Sequence, residues 1–285
     1  MTGINSRFDL IEFYKNIKTN SAKTVVTQIR DLTKVSFGQG LYLIVAVDSD
    51  GGIGPLEGDV VKCSAYQTGR FAIRVPLLEI LASGAIPIAA FDMLTVPMKP
   101  YGVEIIDGIR DELAEAGFDD DFPISGSTED NVPTNQTGIG TTILGFVHKS
   151  EFRPGTSQPG DILLCLGIPK SGPEDTITLD DNDIISQQDF YQIRQIKAVH
   201  DILPVGSHGI LFEAEEMRRL AGLNIEYLDS PVINLKKSAG PATCVLVSCT
   251  EDAVTNIKNK IKAPLFFIGK FVNANQELFE IVDTR

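Results

Sequence analysis

The sequence is short of basic charge. Lys and Arg total 25 against 38 Asp and Glu, and the net charge of −13 repels nucleic-acid phosphates, with no basic patch segregated along the chain. No apolar run reaches the ~18 residues a membrane span needs. The opening MTGINSRFDLIEFYKN is too polar for a signal peptide, so a cytoplasmic location without nucleic-acid or membrane partners is expected. Cys63, Cys165, Cys244 and Cys249 include no CxxC pair, which argues against structural zinc and leaves Cys244 and Cys249 as buried thiols of a strand. Only His148, His200 and His208 occur, and no GxSxG, so nucleophilic Ser-His-Asp chemistry is poorly supported. Walker A, the kinase glycine loop and the Rossmann fingerprint are also missing, which removes the commonest nucleotide-binding folds.

What remains is a globular chain of 285 residues, 43% hydrophobic and 22% charged, long enough for two domains of ordinary size. Leu10, Phe13, Ile17, Val25, Ile29 and Leu32 recur at spacings of three and four and predict one or two helices before the first core strand. LYLIVAVDSD reads as a buried strand running into the acidic, glycine-rich DSDGGIGPLEGD. A helix over Tyr66–Ser83 follows, with a kink or break expected at Pro76 and Gly84 as its cap. IPIAAFDML, FPISGS and GIGTTILGFV are further strands, and YGVEIIDGIRDELAEAGF is the clearest helix, closed by Gly117. The Gly-, Pro- and Ser-rich KSEFRPGTSQPGD places a domain boundary between 1–152 and 153–285. Beyond it come a strand ILLCLGIP, helices near Gln187–His200 and Ile210–Leu220, and strands at ATCVLVSC and APLFFIGKFV. The fold class expected is α+β in both halves, each with a sheet covered on one side.

An acidic protein that binds a polyanion needs its charge neutralised locally, and a bound divalent cation is the simplest device. Asp48 and Asp50 stand two apart at a strand end, where extended geometry lets both point one way and share a cation. Glu79, Asp92, Glu129 and Asp130 are further candidates, each near an element end or in a glycine-bounded loop. Together they can hold one or two Mg²⁺ ions bridging ATP phosphates, or they can be solvated turn carboxylates and helix caps. Arg70, Arg74 and Lys62 are candidate phosphate contacts with a surface-charge alternative.

GRFAIRVPLLEILASGAIPIAAFDML, VDSDGGIGP and SGSTEDNVPTNQTGIGTTILG resemble, in order, three segments of the aminoimidazole-ribonucleotide synthetase-like superfamily. These are an acidic helix entering Gly-Ala-x-Pro (here Glu79, Gly84, Ala85, Pro87 and Asp92), an acidic glycine loop, and a Gly-Gly-x-Thr loop followed by a Thr-Gly-x-Gly strand entry. That superfamily includes thiamine-monophosphate kinase, selenophosphate synthetase and a hydrogenase-maturation factor. The resemblance implies a two-domain α+β subunit that dimerises through its N-terminal sheets and binds ATP and Mg²⁺ near that interface. The N-terminal domain would be the ATP, Mg²⁺ and dimerisation domain, and the C-terminal one the substrate domain. It further implies metal-site roles for Asp48, Glu79 and Asp92, and a nucleotide pocket shaped by Gly51, Gly54, Arg70, Gly126, Thr128 and Gly138.

Departures narrow the substrate. Ser127 stands where thiamine-monophosphate kinases carry an acid, with acids displaced to Glu129 and Asp130, and Glu79 stands where an Asp is usual. PVGSHGIL replaces their Ser-Asp-Gly and SAGPATCVL their Gly-Gly-Glu-Asp, a combination similar to the alpha-ribazole kinases of cobalamin salvage. What that similarity implies is transfer of the ATP γ-phosphoryl group to the 5′-hydroxyl of alpha-ribazole. Asp48 and His208 would be catalytic, and Ser207, His208, Ser238 and Gly240 would face the acceptor. The alternatives are another kinase or synthetase of the superfamily, or a non-catalytic ATP-binding protein.

Overall fold

The structure, a computed structural model, describes residues 14–15, 17–18 and 25–274. The chain divides into two compact units between Phe152 and Arg153. In the first unit, β1 (Val26–Ile29), β2 (Leu32–Gly38), β3 (Leu41–Gly51), β6 (Ile86–Leu94), β7 (Ile124–Thr128) and β8 (Gly138–His148) form one sheet in the order β1-β2-β3-β8-β6-β7. Two short strands, β4 (Ile53–Gly54) and β5 (Val61–Lys62), pair in the loop after β3. The helical expectation fails at Val25–Leu32, where β1 and β2 form a hairpin instead; most of the remaining predicted segment, 9–24, lies outside the described residues.

Helices α1 (Ala65–Ala82) and α2 (Val103–Glu115) pack on each other, and α1 lies over β3 and β8. A capping box between Ser64 and Gln67 starts α1, and Gly84 leaves it at φ +87°. Of the kink or break expected at Pro76, the break does not occur, since α1 runs through it. Proline lacks the N–H that the carbonyl four residues back requires, which is Ala72, and Thr141 Oγ1 of β8 donates to that oxygen at 2.8 Å. The helix therefore stays continuous because the sheet beneath it supplies the missing donor.

The sheet's other face is bare at Val47 (61% exposed), Ile86 (65%) and Met93 (46%). Tight helix packing is secured by glycine: a Cβ on Gly69 would lie 2.0 Å from the Ile105 carbonyl oxygen of α2, and one on Gly108 would lie 2.1 Å from that of Tyr66.

The second unit holds β9 (Ile162–Leu166), β10 (Val199–Pro204), β11 (Leu223–Tyr227), β12 (Val245–Cys249) and β13 (Leu265–Asn273), ordered β10-β12-β9-β13-β11 and antiparallel throughout. Helices α3 (Gln187–Arg194), α4 (Gly209–Ala221) and α5 (Ala253–Lys260) complete it. Ile210, Ala214 and Met217 of α4 pack on Leu163, Cys165 and Leu246. Every residue of β12 is buried, so this sheet is covered on both faces and not on one. The predicted helix to His200 ends at Arg194, because His200 belongs to strand β10.

Candidate functional site

Register brings distant acids onto one face of the first sheet. Asp48 of β3 lies opposite Thr141 of β8, Thr141 opposite Asp92 of β6, and Asp92 opposite Gly126 of β7. One pleat further on, Asp50, Ile139, Leu94 and Thr128 form a parallel row. Residues opposed in a sheet, and residues two apart on a strand, share a face. It is the face α1 covers, because Thr141 reaches up to Ala72. Asp48 and Asp92 are two strand spacings apart, about 10 Å.

Burial raises all three carboxyls above their ordinary range. Asp48 is pushed up to about 6, by burial first and then by the charge of Asp50; Asp50 and Asp92 are raised by burial. None of the three has an ion-pair partner among the described residues. Acids held together without a cation fit a divalent ion. No three His, Cys, Asp or Glu are gathered around one point among the described residues, so Mg²⁺ here would take one or two of these carboxylates. Water and phosphate oxygens would complete its sphere, as is usual for this ion.

Around this row the other predicted residues divide. Gly51 pairs with Gly138, and the loop beyond Gly51 folds back onto the start of β8. Asp59, 4% exposed, accepts from the N–H of Leu56, the N–H of Thr137 and Thr137 Oγ1. Gly54 is needed there, since a Cβ would come within 2.5 Å of Thr137 Oγ1. Gly126 is needed too: a Cβ would meet the Asp92 carbonyl oxygen at 2.4 Å and its carboxylate at 2.5 Å.

Glu79 is not brought to the row. Its helix neighbour Ile80 packs on Gly145, which pairs with Ile44, four residues along β3 from Asp48, so this turn of α1 lies over the other part of the sheet. Glu129 and Asp130 close their own turn. Glu129 accepts from the N–H groups of Asn131 and Val132, which hold its carboxyl below the usual range, and Asp130 accepts from the Met98 N–H and Thr128 Oγ1.

The three cations predicted to meet phosphate are committed elsewhere. Arg70 bonds Glu112 at 2.8 Å, Glu115 at 2.6 Å and the Tyr66 hydroxyl, while Arg74 bonds Glu112 at 3.2 Å. Both are buried, and burial pulls Arg74 below its ordinary value. They tie α1 to α2. Lys62 donates to the carbonyls of Leu56 and Glu57.

In the second unit the four predicted acceptor residues fall on one surface. The Ala239 N–H donates to Gly206 O and the Leu211 N–H to Leu235 O, joining GSHG to SAG. Gly209, at φ +81°, permits this contact, since a Cβ would lie 2.8 Å from Lys237 O. Ser238 Oγ accepts from the Gly240 N–H, Ser207 is exposed, and exposed His208 begins α4 with its ring 4.6 Å from that of Phe212.

Sequence reasoning missed Thr141 and Asp59, whose roles depend on long-range register. It also missed Arg110, which with Asp92, Gly126 and Thr128 lines a cleft of about 370 Å³. A basic residue on the solvent-facing side of an amphipathic helix carries no local signal.

Residues 31–147 match the family model described as AIR synthase related protein, N-terminal domain. No curated protein sequence matches the chain at a significant level. Among solved structures, the thiamine-monophosphate kinase from Aquifex aeolicus aligns over 94% of this chain and 96% of its own at 15% identity, with a TM-score of 0.60. A structure described as AaThiL complexed with AMPPCP and TMP aligns over 93% and 90% at 15% identity and TM-score 0.57. The thiamine-monophosphate kinase from Stenotrophomonas maltophilia aligns over 95% of both chains at 15% identity and TM-score 0.56. Residues 31–147 are thus similar to the AIR synthase-related N-terminal domain, and the chain has an α+β fold like that of these thiamine-monophosphate kinase structures.

Proposed function

We propose that the protein is an ATP- and Mg²⁺-dependent small-molecule kinase whose acceptor is the 5′-hydroxyl of alpha-ribazole. The observation that carries the reading is the row Asp48–Thr141–Asp92, which sets a half-buried and a buried acid on one face with no cation of their own. Asp48, with Asp50 or Asp92, would hold a divalent ion there, and that ion would supply charge neutralisation for the phosphates. Thr141 fixes α1 over the row. Phosphoryl transfer asks mainly for positioning and charge stabilisation, which suits a site without a covalent nucleophile.

The second unit serves the acceptor, through Ser207, His208, Ser238 and Gly240. Support for alpha-ribazole comes from the resemblance of GSHG and SAGPATC, which the fold joins into one surface. The fold's likeness to thiamine-monophosphate kinases makes thiamine monophosphate the competing acceptor. The bare face at Val47, Ile86 and Met93 belongs to a homodimer through the N-terminal sheets. Light scattering at micromolar concentration should report twice the 31.0 kDa chain mass, and a monomer would refute it.

The function is tested by incubation with ATP, Mg²⁺ and either alpha-ribazole or thiamine monophosphate, with mass detection of products. A phosphoryl group gained by alpha-ribazole is expected. Phosphorylation of thiamine monophosphate alone would reassign the acceptor. ATP consumption with no phosphate kept on the acceptor would favour a synthetase, and binding without turnover a non-catalytic protein.

A further inference from the structure

The cleft of about 370 Å³ runs along the outer edge of β7, between that strand and α2. β7 is the last strand of its sheet and pairs only with β6. The phase of that pairing follows from its two ends. The Ala90 N–H donates to Pro123 O, and the Glu129 N–H donates to Leu94 O. In a parallel ladder a residue's N–H and C=O face the same neighbour, and the next residue's face the other way. Ser125 and Ser127 therefore bond β6, and the amides of Gly126 and Thr128 face outward with no strand to receive them.

Across this edge stands Arg110. Its one hydrogen bond is a long one, 3.5 Å to the Asp120 carbonyl, and no carboxylate pairs with it among the described residues. Its helix neighbour Asp111 is taken by the Tyr66 hydroxyl at 2.6 Å. Arg70, Arg74, Arg218 and Arg219 are all ion-paired. A guanidinium left without an acid, in a chain of net charge −13, beside outward amides, has the donor set of an anion site.

We propose that Arg110 holds the phosphate chain of the nucleotide against the open edge of β7, with the Gly126 and Thr128 amides as its partner donors. This rests on the nucleotide-binding reading above. Asp92 lines the same cleft, so the anion enters with its divalent cation between phosphate and carboxylate.

The test is calorimetric titration of the full chain with ATP and with adenosine, both in Mg²⁺, for wild type, Arg110→Lys and Arg110→Ala. Loss of a charge-assisted, two-pronged contact should weaken ATP binding about 10- to 100-fold in Arg110→Ala, with partial recovery in Arg110→Lys. Adenosine, which has no phosphate, should bind all three alike. ATP affinity unchanged in Arg110→Ala overturns this inference alone, as does an equal loss for ATP and adenosine. Failure of the wild type to bind ATP overturns the nucleotide reading with it.

Discussion

Replacing Asp48 by Asn should stabilise the metal-free protein at neutral pH while abolishing its activity. Burial and the charge of Asp50 push the Asp48 carboxyl up to about 6 from an ordinary 3.8, so ionising it is harder in the folded state than in the unfolded chain. A difference of about 2 in pKa corresponds to about 3 kcal/mol, which screening at a half-buried group reduces to about 1 to 2 kcal/mol. The sign follows from linkage. A folded value above the unfolded one gives stability that is complete below about 3.8 and lost as pH rises through about 6. Asparagine keeps the size and the acceptor for the Ser49 N–H but has no charge to bury. Unfolding followed by circular dichroism in chelator should show Asp48→Asn gaining on the wild type between pH 4 and 7. The gain is about 2 to 8 °C in Tm. Added Mg²⁺ at pH 8 should stabilise the wild type and not the variant. An Asp48→Asn protein that is less stable than wild type at pH 8 without metal, or a difference that ignores pH, would refute the reasoning.

Three further outcomes follow from named contacts. Glu112→Gln withdraws the charge that compensates two buried arginines, so denaturant unfolding should show a loss of about 3 kcal/mol or more, with KM for ATP unchanged below the transition. Gly126→Ala drives a methyl into the Asp92 backbone and carboxylate; an overpacking penalty of about 1 to 3 kcal/mol should appear in Tm, with a kcat loss that persists at temperatures where the variant is folded. His208→Ala should raise KM for alpha-ribazole about 3- to 10-fold, the value of one hydrogen bond, with kcat little changed; steady-state kinetics with both parameters unaltered would make His208 an ordinary loop residue.

Local pattern made much of the fold legible. The apolar runs of β3, β6 and β8, the amphipathic face of α2 and the Gly117 exit all carry signals within a dozen residues. Val25–Leu32 did not, because four residues of strand followed by a tight hairpin present the same apolar spacing as a helical turn and a half. Asp48 and Asp92 were both visible as acids at strand ends. That Thr141 joins them was not visible, since the pairing crosses 93 residues on one side and 49 on the other and is fixed only by sheet register. The same limit misdirected the arginines: Arg70 and Arg74 look available along the chain, and only the packing of α1 on α2 shows Glu112 between them. Pro76 is the converse case, a local helix breaker overruled by a hydroxyl from another element.

The proposed chemistry rests on a divalent ion held together with a nucleotide on the Asp48–Asp92 face. Electron paramagnetic resonance of Mn²⁺ in place of Mg²⁺, titrated in the presence and absence of a non-hydrolysable ATP analogue, tests it most directly. Nucleotide-dependent Mn²⁺ binding is predicted for the wild type and should be lost in both Asp48→Asn and Asp92→Asn. Mn²⁺ binding that survives both substitutions, or that is the same with and without nucleotide, would contradict it.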